Sequence, residues 1–106
     1  MILYTMIRLI DISRSLRKGK KWAFSFLVDG HKRTVHFGSS EYEDYTIHKD
    51  PNRMRLYQLR HIHDNLNDPF SPGALSWYVL WTSPDFQTGV KNYLNRFHIV
   101  PNFSIA

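Results

Sequence analysis

The chain contains no cysteine. Disulfides, thiolate metal sites and thiol nucleophiles are therefore excluded. Small secreted domains commonly rely on disulfide staples, so the absence favours a reducing compartment or a particle assembled in one. There is no P-loop, no G-x-G-x-x-G, no H-E-x-x-H and no nucleophile-elbow glycine pattern. Long hydrophobic runs are missing too. The most apolar stretch, Met1 to Ile10, is interrupted by Arg8 and is too short to span a bilayer. It has neither the basic lead nor the small-residue cleavage site of a signal peptide, and it reads as a buried strand.

Aromatic residues, by contrast, are abundant. They form 15% of the 106 residues, and hydrophobic residues 42%, which argues against disorder and for a core built on large rings. A chain of this length fits one domain, residues 1–106. The net charge is +5 and it is unevenly spread. Residues 8–33 carry eight Lys/Arg against Asp11 and Asp29, whereas residues 41–50 carry four acids against Lys49. One part of the surface therefore attracts polyanions and a nearby stretch repels them.

Hydrophobic periodicity divides the chain into mainly strands over 1–38, an ordered loop over 39–50, a helical region over 51–98 and an apolar tail over 99–106. Residues 2–12 predict a strand. Trp22, Phe24, Phe26 and Val28 alternate with Ala23, Ser25 and Leu27, which is the period of a second strand. Asp29-Gly30 suits a two-residue turn, and His31 to Phe37 return as a third strand. Asp50-Pro51, Ser71-Pro72 and Ser83-Pro84-Asp85 each carry a capping side chain beside proline, so three helices open there. The first is expected to run to about Asn65 and to bury Leu56, Leu59, Ile62 and Leu66. The second reaches about Trp81. The third, to about His98, places Phe86, Val90, Tyr93, Leu94 and Phe97 on one side. Pro101 ends the helical region. The expected fold is α+β: an N-terminal three-stranded antiparallel sheet containing a hairpin, with three helices packed on it.

Four groups of residues bear on function. Arg14, Arg17, Lys18, Lys20 and Lys21, with Lys32 and Arg33 on the facing strand, would put seven cations on one hairpin end. That is a polyanion-binding surface or a solubilising loop. The histidines do not make a metal pattern, since His61 and His63 are two apart in a helix and point to different sides. No metal and no cofactor are expected. A polar group of His36, Asp44, Tyr45, His48, Asp50, Arg53, Tyr57, Arg60 and His61 suits an internal network that pins the loop to the helix, with a ligand surface or a catalytic site as the alternatives. Finally Trp77, Tyr78 and Trp81, with Phe103 and Ile105 in the tail, are either core residues or protein contacts.

Several of these residues recur in ordered motifs: Val35-His36-Phe37-Gly38, then Asp44-Tyr45-Thr46-x-His48-Lys49-Asp50, then Tyr57-x-x-Arg60-His61. Gly73-x-Leu75-Ser76-x-x-x-Leu80-Trp81 and Tyr93-x-x-Arg96-Phe97 follow. Over roughly residues 21–97 the chain resembles a small, poorly characterised family found mainly in large double-stranded DNA viruses of algae and amoebae. The resemblance implies a viral protein and supplies no enzyme activity. The expected role is a non-catalytic structural or binding module, a minor capsid or other virion-associated protein that contacts other virion proteins. It would reside in the virion, and in the host cytoplasm during assembly. The alternative is a nucleic-acid-binding protein using the basic loop. A third reading, a nuclease-like enzyme, would need His36, Asp44, His48 and His61 to converge on an open cleft.

Overall fold

The computed structural model describes residues 6–103. The expected start of the first strand at residue 2 and the contact candidate Ile105 lie outside these residues. The architecture is α+β, as the pattern of strands before helices predicts. Strands β1 (Ile7–Arg14), β2 (Lys20–Val28) and β3 (His31–Ser39) pair antiparallel. A fourth strand, β4 (Val100–Pro101), joins β1 in parallel, giving the order β3-β2-β1-β4. The tail is thus the edge of a four-stranded sheet rather than an appendage to a three-stranded one. Asn102 extends the attachment by donating its backbone N–H to the Leu9 carbonyl.

The β2–β3 hairpin follows from its turn. Asp29 and Gly30 both adopt positive φ, 51° and 79°, the geometry whose twist matches the flanking strands. Alternation then sends Phe24, Phe26 and Phe37 to one face, where they are fully buried. Ser25 and Thr34 meet on the other, with their hydroxyls 2.8 Å apart.

Three helices of two turns or more follow the short α1 (Tyr45–His48). They are α2 (Pro51–His61); α3 (Pro72–Leu75), which continues as a π-turn over Ser76–Leu80; and α4 (Phe86–Phe97). Each of the three anticipated caps is in place. Asp50 accepts from the Asn52 and Arg53 backbone, Ser71 from Ala74, and Asp85 from Thr88. The core joins Leu9, Phe24, Phe26 and Phe37 of the sheet to Leu75, Val79 and Leu80 of α3 and Val90, Tyr93 and Leu94 of α4. The Tyr93 hydroxyl, carried into that core, donates to the Pro69 carbonyl at 2.6 Å. Gly89 is the contact point of α3 and α4, since a Cβ there would overlap the Val79 carbonyl oxygen.

Helix α2 departs from expectation. It ends at His61 rather than near Asn65, and it buries no residue completely. Leu56, Leu59 and Ile62 are 55%, 70% and 55% exposed, so the row assigned to the core faces water. The face that packs carries Met54, Tyr57, Gln58 and His61, at helical offsets of three, four and seven. Tyr57 lies against Trp81 with ring centroids 4.1 Å apart and planes within 1° of parallel. Gln58 donates from Nε2 to the Trp81 carbonyl. A stacked aromatic pair with a hydrogen bond beside it outcompetes three leucine-like side chains because α3 offers a ring surface at this point, not an aliphatic groove.

Candidate functional site

A cleft of about 550 Å³ opens between the Lys21–Gly38 end of the sheet, the loop around Glu43 and helix α2. Its back wall is an ion pair. Lys21 Nζ donates to Asp44 Oδ2 at 2.7 Å, and the two side chains are only 11% and 3% exposed. Asp44 Oδ1 accepts from the Thr46 backbone N–H and hydroxyl, which caps α1. Both carboxylate oxygens are therefore occupied, and burial of this acid is tolerable for that reason. The opposite wall comes from α2, with Arg53, Tyr57, Arg60 and His61, and from Ser76, Leu80 and Trp81 of α3. Trp81, Tyr57 and His61 form a run of stacked rings, the second pair 4.2 Å apart. Burial, helped by the nearby Asp64 charge, pushes the Tyr57 phenol above its ordinary pKa, so it stays a neutral donor.

The polar group anticipated from the sequence divides into lining residues and fold-holding residues. Asp44, Arg53, Tyr57, Arg60 and His61 line the cleft. Asp50 caps α2. His48 sits behind Trp81, with ring centroids 5.4 Å apart, and its Nδ1 accepts from the Asp50 backbone N–H at 2.9 Å. That bond fixes the tautomer protonated at Nε2. Nε2 itself is buried without a hydrogen-bond partner among the described residues. Burial, with the Arg53 charge, holds the His48 pKa below its ordinary value. Tyr45 is half-buried beside the core. His36 lies elsewhere, on β3, with Nδ1 2.8 Å from the Ser15 hydroxyl. His36, Asp44, His48 and His61 therefore do not converge on one space. Asp44 carries an ion pair, His61 a 2.7 Å pairing with Asp64, and the other two lie outside the cleft. No group of three metal-ligating side chains occurs among the described residues.

The seven cations do not share one hairpin end. Lys20 pairs with Ser39, whereas Lys32 and Arg33 pair with Leu27 and Phe26 near the turn. At strand rise the two sets are about 20 Å apart. Three are engaged within the fold: Lys21 by Asp44, Arg14 over the Trp22 ring at 4.3 Å, and Arg33 over Phe70 at 4.3 Å. Arg17 and Lys18 remain exposed in the loop around Leu16, with Lys20 half-buried at its edge. Of the aromatic contact candidates, Trp81 is buried, and Trp77 and Tyr78 are half-buried and pack on Tyr57 and Phe97. Phe103 is 38% exposed.

Periodicity missed the outward row of α2 because it read those leucines as core. The signal that marks them is the second set of ring-bearing positions on the same helix. No helix among the described residues is long and apolar enough to cross a membrane. Neither a curated protein nor a solved structure matches the chain. Residues 10–61, which run from β1 through α2 and include every cleft residue except those of α3, are similar to a family described as one of unknown function (DUF5754).

Proposed function

We propose that the protein is a non-catalytic binding module that docks on an acidic partner protein through the outward face of α2. The observation that carries this is the exposed row Leu56, Leu59 and Ile62. Three large aliphatic side chains, two on this short helix and one at its C-cap, form a patch of the kind that marks an interface. The same helix bears Arg53, Arg55 and Arg60 and no carboxylate. A second copy of the chain would bring these cations against their own kind, so the charge favours a partner whose apolar face is rimmed by acids. Phe103 adds a separate exposed ring at the sheet edge. The resemblance to a family of large DNA viruses supports a virion setting, with a minor capsid or other virion-associated role.

The test is co-purification of the full chain from its native source, wild type beside Leu56→Ser/Leu59→Ser. The reading expects a protein partner retained by the wild type and lost by the variant, with further weakening by Arg55→Glu. Equal retention by the variant, or recovery of the chain only as a free protein, overturns it.

A second reading is supported by the free cations Arg17 and Lys18 beside a fully exposed Leu16. It is contact with nucleic acid through the β1–β2 loop. Phosphate contact predicts affinity that falls steeply with salt, with a slope reduced by about one for each loop cation removed. Docking on α2 predicts no such change.

A further inference from the structure

The cleft between α2 and the sheet holds polar groups that the fold leaves unused, and they face one space. Arg60 makes no ion pair and no hydrogen bond among the described residues, although it lines the cleft. Arg53, seven residues earlier on the same face, has only a loose 3.6 Å pairing with Glu43, whose side chain is 57% exposed. Ser76 and Tyr57, both hydroxyl-bearing, also line the space. The deeper charges are already balanced, since Lys21 and Asp44 neutralise each other at the back wall. The available charge is therefore the pair of guanidiniums on α2, whose planar forks match phosphate oxygens.

Flat ring surface lies beside that charge. Tyr42 stands at the mouth with 72% of its surface exposed. His61 stacks on Tyr57 with one face and leaves its side chain 38% exposed. Leu56 and Leu80 supply an apolar lining between the rings and the sheet. The volume, about 550 Å³, falls inside the range of small-molecule sites.

We infer that this cleft binds a small anion carrying a planar ring, with a nucleoside monophosphate as the fitting class. Its phosphate sits on Arg60 with Arg53 beside it, and its base lies against Tyr42 and His61. Serine and tyrosine hydroxyls at Ser76 and Tyr57 supply donors for the sugar or base edge. Glu43 is the opposing feature: its carboxylate at the mouth competes for Arg53 and repels the incoming phosphate. This site goes beyond the docking surface. The two share Arg53, Leu56 and Arg60, but Leu59 and Ile62 do not line the cleft and Tyr42 is not part of the docking row, so Leu59→Ser and Tyr42→Ala tell the two activities apart.

The test is calorimetric titration of the full chain with adenosine monophosphate, adenosine and inorganic phosphate, with thermal melting to confirm folding. The monophosphate is expected to bind at least about tenfold tighter than either fragment, since each alone forfeits one half of the contacts. Arg60→Gln is expected to lower monophosphate affinity by about tenfold or more and to leave adenosine unchanged. Tyr42→Ala should weaken monophosphate and adenosine together and spare inorganic phosphate. Glu43→Gln should tighten the monophosphate. No binding of the monophosphate at about 1 mM overturns the inference. So does phosphate alone binding as well as the nucleotide, or a folded Arg60→Gln variant with unchanged affinity.

Discussion

Lys21 Nζ and Asp44 Oδ2 meet at 2.7 Å in a setting that leaves the acid 3% exposed. The pair ties the start of β2 to the loop that leads into α2, and it separates the α2 cleft from a smaller hollow beside Arg14, Trp22 and Phe86. Its energetic asymmetry is the useful part. A buried pair contributes modest net stability, but breaking it strands a charge.

Lys21→Met should therefore destabilise the fold by about 3 kcal/mol or more. Asp44→Asn keeps an acceptor for the α1 cap yet strands Lys21, and should cost a similar amount. The double variant should recover much of the loss. Urea unfolding of the three variants checks this. Additive costs in the double variant would show that the two side chains do not act as a pair.

Gly89→Ala sets two effects against each other. In a free helix the change stabilises by about 1 kcal/mol. Here the added methyl would overlap a backbone carbonyl of α3, and backbone cannot step aside as a side chain can. Sterics should win, with a net loss of about 1–3 kcal/mol and a lower melting temperature.

His48 should make the fold acid-sensitive. Its folded pKa lies below the ordinary 6.5, so the unfolded chain binds the proton more readily. Stability is then fully present above about pH 6.5 and declines as pH falls through the folded value. Protonation would also remove the acceptor that Asp50 N–H uses at the start of α2. His48→Asn, which can still accept that bond, should flatten this part of the pH profile. An unchanged profile would assign the acid sensitivity to other groups.

Much of the fold is legible in the sequence, and the reason is local chemistry. Asp29-Gly30 dictates its turn, and Asp50, Ser71 and Asp85 dictate three helix starts, because each signal acts within four residues. What failed depended on distant partners. Pro101 and the apolar residues around it mark an extended tail, but nothing local specifies that Val100 pairs in parallel with Arg8. The cations of Lys32 and Arg33 are close in sequence to Lys20 and Lys21, but antiparallel pairing carries them to the far end of the hairpin. Helix α2 offers two faces of similar apolar character, and only the Trp81 ring on α3 decides between them. The polar residues of the cleft were visible as a group, whereas their division into fold-holding and open members was not. That division depends on which atoms Lys21, Asp64 and the backbone reach first.

The orientation of α2 underlies the docking surface and the cleft alike, and paired unfolding measurements test it directly. Tyr57→Ala should cost about 3 kcal/mol, since it removes a ring stacked on Trp81, while Leu59→Ser should stay within about 0.5 kcal/mol of wild type. The reverse order, a costly Leu59→Ser and a tolerated Tyr57→Ala, would mean that the leucine row is packed inside and would contradict the account.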